Sequence, residues 1–145
     1  MSTREIGLAT VSQKIINLGG VNVSEIKEGN KRFISFTALN GKKYQVSTRA
    51  KNKGTWQTTI NYGEVCRENV NETKFWVFVD ISLNEPKFYI TPLWWIQNDI
   101  HKVHCEFLEK HKGHRPSNND STHHSISKKR IEQWEGAWNL LGLNA

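Results

Sequence analysis

Cysteine is scarce: Cys66 and Cys105 are the only two in 145 residues, and no CxxC pair occurs. That usage excludes a disulfide scaffold and points to a reducing, cytoplasmic setting. No run approaches the roughly eighteen consecutive apolar residues of a membrane span, and the N-terminus carries no apolar signal core, so neither membrane insertion nor secretion is expected. Gly19-Gly20 lies outside any GxxxxGK or GxGxxG context, and no serine occupies a nucleophile elbow; a nucleotide-binding loop and a hydrolase triad therefore lack a basis. The most consequential absence is local. The segment Lys31 to Ile60, KRFISFTALNGKKYQVSTRAKNKGTWQTTI, contains no Asp or Glu.

Positive charge is plentiful by contrast. Twenty Lys and Arg stand against fourteen Asp and Glu, a formal charge of +6. Such a balance favours an anionic partner, whether DNA, RNA or an acidic protein, without choosing among them. The length suits one domain, residues 1–145, with a core that needs neither disulfides nor a structural metal.

Periodicity organises the chain. Residues 4–18 predict a first helix with Ile6, Ala9, Val11, Ile15, Ile16 and Leu18 as apolar positions, stopped by Gly19-Gly20. Val21 to Ile26 reads as a short edge strand. Phe33 to Leu39 and Lys43 to Thr48 read as a hairpin joined at Asn40-Gly41, with Tyr44 and Val46 on one face and Gln45, Ser47 and Arg49 nearer the other. A polar turn, Lys51-Asn52-Lys53-Gly54, leads to Trp56. Lys74 to Ile81, KFWVFVDI, is apolar enough for burial on both faces and is expected at the sheet centre, paired with Lys87 to Ile90 across the Asn84-Glu85-Pro86 turn. Thr91-Pro92 predicts a capped helix start, followed by a short helix over Leu93 to Ile100 that continues or restarts over Val103 to His111. Gly113 to Thr122 is loop-like. Lys128 to Leu141 predicts a last helix with Ile131, Trp134, Ala137, Trp138 and Leu141 along one stripe. The order predicts an α/β fold, a mixed sheet flanked by helices.

The block GKKYQVSTRAKNKGTWQ, the strand KFWVFVDI and the following KFYITP with its helix resemble the PD-(D/E)XK, or restriction-endonuclease-like, superfamily, especially small proteins related to Holliday junction resolvases. The resemblance covers nearly the whole chain through short motifs. It implies a restriction-endonuclease-like core, DNA as partner and a homodimer acting on two-stranded DNA. Members of the superfamily often carry a glutamate in the first helix, an aspartate on the second strand and a (D/E/Q)-x-K triplet on the third. Glu5 matches the first, Ser35 stands at the aspartate, and Gln45-Val46-Ser47 stands at the triplet.

Those departures fall on the metal and base positions. Mg²⁺ takes hard oxygen ligands, usually including one or two carboxylates, and the neutral Ser35 hydroxyl cannot replace one. Ser47 cannot do a lysine's work beside an attacked phosphate. The resemblance thus implies a degenerate, noncatalytic site at Glu5, Ser35, Gln45 and Ser47 with no cofactor. The alternative is an Mg²⁺-dependent endonuclease with relocated acids: Glu64 or Glu68 joining Glu5, assisted by Lys43 or Arg49, or a metal held by Glu5, Gln45 and Asp80. Asp80 is equally a strand-end carboxylate satisfied by backbone donors or a basic neighbour. A noncatalytic protein-interaction module is the third reading.

Lys43, Arg49, Lys51 and Lys53 are candidate phosphate contacts. Trp56, with Tyr62 close in sequence, is a candidate for base stacking, although an isolated tryptophan more often packs in a core. His101 and His104, then His111 and His114, repeat a three-residue spacing near Cys105, and His123-His124 follow; without a CxxC pair this is a weak zinc pattern. Trp94-Trp95 cannot both face one way on a helix, so one is expected in the core and the other partly exposed. The Trp-rich helices suit packing first and a partner interface second.

Overall fold

A computed structural model describes residues 1–68, 70–110 and 122–144. The first helix, α1 (Thr3–Asn17), starts at Ser2, whose hydroxyl accepts the Glu5 backbone N–H at 3.1 Å, a side-chain cap for a donor the helix leaves unpaired. Its buried face runs through Gly7, Val11 and Ile15, whereas Ile6 and Ile16 are exposed. The expected stripe is rotated because α1 meets the sheet through Gly7: a Cβ there would collide with Ala50 Cβ, so only glycine permits this approach.

The strands follow as β1 (Val21–Glu28), β2 (Lys31–Thr37), β3 (Lys43–Lys51), the short β4 (Trp56–Thr59), β5 (Lys74–Asp80) and β6 (Lys87–Pro92). Five of them form one mixed sheet in the order β1-β2-β3-β5-β6. β3 and β5 run parallel, and the other neighbours are antiparallel. The hairpin turn at Asn40-Gly41 forms as read, closed by Ala38 N–H to Lys42 O and by Asn40 Oδ1 accepting from Lys42 N–H. β1 is an edge strand, as is β6 at the other side of the sheet. β5 is buried from Phe75 to Val79, but β3, not β5, holds the middle position, since β2 covers one of its sides and β5 the other.

Alternation along β5 divides the interior in two. Phe75, Val77 and Val79 join Val11 and Ile15 of α1 with Ile34, Phe36 and Val46, closed by Trp138 and Leu141. Trp76 and Phe78 join Trp56, Tyr89, Ile96, Ile100, Ile126 and Ile131 on the other face. Neighbouring side chains of one strand point to opposite faces, so this single strand anchors both layers.

Three expectations change, and the open choice between a continued and a restarted helix after Pro92 is settled. Thr91 and Pro92 end β6 rather than cap a helix: Thr91 Oγ1 donates to Trp76 O at 3.0 Å, and Pro92 pairs with Phe75. The helix that follows, α2 (Leu93–Lys110), is continuous, with Ile96 and Ile100 buried four residues apart on one face. A strand absent from the sequence reading, β7 (His123–Ile126), pairs with β4. The expected last helix breaks: α3 (Lys128–Ile131) passes into a 3-10 turn over Glu132–Trp134, and a second 3-10 turn covers Trp138–Leu141. Gly136, at φ +65°, separates them and donates its N–H to Phe88 O at 2.9 Å. The predicted stripe is therefore divided between layers, Ile131 and Trp134 on the α2 side and Ala137, Trp138 and Leu141 on the α1 side. The predicted loop 113–122 lies, except for its last residue, outside the described residues. Among the described residues no helix is long and apolar enough to cross a membrane.

Candidate functional site

Cross-strand register places the nuclease-like positions. Ser35 of β2 pairs with Gln45 of β3, so their side chains share a face, and Ser47 and Arg49 follow on it at two-residue steps. Ile34, Phe36 and Val46 point the other way, into the α1 layer. Ser35, Gln45 and Ser47 are thus brought together on the α2 side of the sheet. Glu5 is not: it sits on the helix that covers the opposite face, exposed, accepting the Ser2 hydroxyl at 3.1 Å.

Gln45, Ser47 and Arg49 line a groove of about 830 Å³. Its walls are the first turn of α1, the β1–β2 turn and the start of α2, and the α1 end is tied to the β1–β2 turn by Arg4 Nη2 donating to Asn30 O at 3.1 Å. Five cationic residues line it, Arg4, Lys31, Arg32, Arg49 and Lys74, against one carboxylate, Glu28. The 3.6 Å pair of Arg32 with Glu25 is well exposed and contributes little stability.

Arg49 is the unusual member. Its guanidinium carbon lies 4.1 Å from the centroid of the Trp76 ring and 5.2 Å from that of Tyr62, close enough for cation–π attraction to both. Trp76 and Tyr62 meet edge to face at 4.9 Å, and Lys31 Nζ lies 5.4 Å from the Tyr62 centroid. The Arg49 Nε N–H is buried with no hydrogen-bond partner, which costs about 1–3 kcal/mol. Register explains the stack, since β3 and β5 run parallel with Ser47 beside Trp76 and Arg49 beside Phe78.

The other predicted phosphate contacts disperse. Lys51 forms a 3.4 Å ion pair with Asp80 and lies over the Trp56 ring. Lys53 is exposed in the turn, and Lys43 is exposed at the far end of β3, eight residues and so about 26 Å from Lys51 along the strand. Trp56 is 1% exposed; its Nε1 donates to Val79 O at 3.2 Å, and Phe78 and Tyr89 pack edge to face against it. It is a core residue, and base stacking by Trp56 is corrected on that ground.

The metal readings find no assembled site. Gln45 pairs with Lys74 and Asp80 with Lys51, six residues apart on β5, or about 20 Å, so Gln45 and Asp80 cannot share an ion. Burial raises the Asp80 carboxyl, but hydrogen bonds from the Ser82 side chain and backbone, with Lys51 beside it, hold it below the ordinary carboxylate range. Among the described residues no three His, Cys, Asp or Glu side chains are grouped to hold a metal. Glu5, Ser35, Gln45 and Ser47 do not come together as ligands for Mg²⁺, since Glu5 lies on the helix over the opposite face. Of the histidines, His101 Nε2 lies 3.4 Å from Cys105 Sγ, while His123 and His124 belong to β7. His111 and His114 lie outside the described residues. Cys66 Sγ donates to Gln97 Oε1, and burial, then Glu64, pushes its thiol up, so it is not activated as a nucleophile or ligand.

Sequence reasoning did not single out Arg4, Lys31, Arg32 or Lys74, which come from three different elements, α1, β2 and β5, and carry no local motif. It also missed Arg130. That side chain donates to Asp99 Oδ2 from Nε at 3.0 Å and Nη2 at 2.7 Å, and from Nη1 to Ser125 O at 2.9 Å, with His124 Nε2 also 3.0 Å from Nη1. It locks β7 and α3 onto α2. Trp94 and Trp95 are both half-buried, and Trp95 packs on Trp134 at 5.4 Å; neither is the fully enclosed partner expected of the pair.

No family model matches this chain, and no curated protein or solved structure matches it.

Proposed function

We propose that this chain is a DNA-binding protein with a restriction-endonuclease-like core whose metal site is degenerate, so that it binds without cutting. The observation that carries the reading is the groove over β3: five cationic residues to one carboxylate, with Gln45 and Ser47 on its wall where a nuclease would place a metal ligand and a lysine. Cations in a concave wall raise the local concentration of a polyanion and neutralise its phosphates. Hydrolysis would need a carboxylate-held metal beside those cations, and Ser35 and Ser47 supply none. The helix before the sheet and the hairpin that brings positions 35, 45 and 47 to one face support the same reading.

Fluorescence anisotropy with duplex DNA, branched DNA and RNA at matched salt tests it. DNA affinity that falls steeply with salt is expected, together with intact DNA after incubation with Mg²⁺ or Mn²⁺. Cleavage that disappears in Glu5→Ala would overturn the noncatalytic reading, and binding to none of the three at low salt would overturn DNA recognition.

A further inference from the structure

We infer that Arg49 is a preorganised phosphodiester anchor, its guanidinium held by cation–π contact with Trp76 and Tyr62 so that its terminal nitrogens meet a backbone phosphate entering the groove. The inference rests on the DNA-binding reading and assigns the contact within it.

Three features of the same side chain support this role. Its guanidinium is held against two rings rather than by a carboxylate: the ion pairs among the described residues use Arg32, Lys51 and Arg130, not Arg49. Its Nε N–H is closed off without an acceptor, while its terminal nitrogens make no hydrogen bond to a described residue although Arg49 lines the groove. Structural arginines are ordinarily satisfied by acceptors of the fold, and a guanidinium left unpaired at a groove wall calls for an explanation. A guanidinium offers a rigid planar fork that matches two oxygens of a phosphate, and stacking on aromatic rings removes the rotational freedom it would otherwise lose on binding. Lys31, on the other cationic approach to Tyr62, adds charge without a fixed geometry. Trp76 and Tyr62 are positioning residues here, acting on the ligand through Arg49.

The test separates charge from geometry. Arg49→Lys keeps the charge and loses the fork and the stack; Arg49→Gln loses the charge as well. Both are expected to weaken binding of a fluorescein-labelled DNA duplex by about tenfold. Only Arg49→Gln should lower the slope of log affinity against log salt, by about one. Tyr62→Phe should bind as the parent does and Tyr62→Leu more weakly, with thermal melts verifying that each variant is folded. In parallel, the Arg49 Nε–H resonance, assigned by its loss in Arg49→Lys, should shift saturably on titration with inorganic phosphate. If Arg49→Lys binds DNA like the parent and phosphate leaves the resonance unmoved, the anchor is wrong and DNA recognition stands on other residues. If the parent binds no DNA while phosphate still shifts the resonance, the DNA reading fails and the anchor stands. Failure of both measurements overturns both.

Discussion

Two arginines on the same side of the sheet have opposite surroundings. Arg130 gives its N–H groups to Asp99 and to the Ser125 carbonyl, beside His124, and it joins the separate β4–β7 ribbon to α2. Arg49 gives none to the described residues and rests on Trp76 and Tyr62. A guanidinium bonded from Nε and from both terminal nitrogens to acceptors of the fold is committed to stability rather than to a ligand. One that is held by ring faces is oriented without being satisfied. The difference separates a structural region, built by long-range acceptors, from the proposed recognition region, where the fold tolerates an unpaired donor.

Breaking the structural side should produce the largest effect. Arg130→Ala leaves the Asp99 carboxylate, only 17% exposed, without its partner and removes the tie between α2 and the β7–α3 segment. Loss of a partly buried, multiply bonded pair costs about 2–3 kcal/mol, below the full penalty of a buried one because water reaches both groups. Urea unfolding measures it, and DNA affinity of the folded fraction should be unchanged. The converse substitution, Arg49→Leu, should weaken DNA binding while changing stability by no more than about 1 kcal/mol, since it removes an unsatisfied donor along with two cation–π contacts. Equal stability losses in the two variants would erase the distinction between the regions.

The legibility of these regions in the sequence differs for the same reason. Local pattern found β2, β3, β5 and β6, because burial is written in neighbouring residues, as alternation in Lys43 to Thr48 and as a continuous apolar run from Phe75 to Val79. It also placed Gln45, Ser47 and Arg49 on one face. What it could not find depends on contacts between distant positions. The broken last helix follows from Gly136 meeting Phe88 O, and β7 exists only against β4. Trp56 looked available beside a basic turn, yet Val79, Phe78 and Tyr89 enclose it. Lys51 looked like a phosphate contact, yet the parallel register with β5 sets it beside Asp80.

That Lys51–Asp80 pair sets a pH dependence on the structural side. The Asp80 carboxyl is held below its ordinary value of 3.8, in spite of burial, by Ser82 and then Lys51. A carboxyl depressed on folding contributes stability that is complete above the unfolded value and is lost as pH falls through the lower folded value. Asp80→Asn should therefore be less stable than the parent at neutral pH, with the gap closing as the pH is lowered below that of an ordinary carboxylate. Parallel urea titrations at the two pH values check the sign; a gap that widens in acid would mean the carboxylate is a liability to the fold.

The smallest expected effect sharpens the recognition side. Lys53 is an exposed charge in the turn after β3 and is not among the residues lining the groove, whereas Arg49 lies on its wall only four residues earlier. If DNA recognised the whole basic segment through net charge, Lys53→Glu would weaken binding as much as a substitution at Arg49, because sequence neighbours would be equivalent. If recognition depends on the groove, the substitution removes only a distant interaction that salt screens within about 8 Å at physiological ionic strength. Lys53→Glu should then alter affinity by less than about twofold in physiological salt. A loss matching that of Arg49→Gln, measured by anisotropy on the same duplex, would move the contact from the groove to the turn and return Arg49 to the class of packed surface arginines.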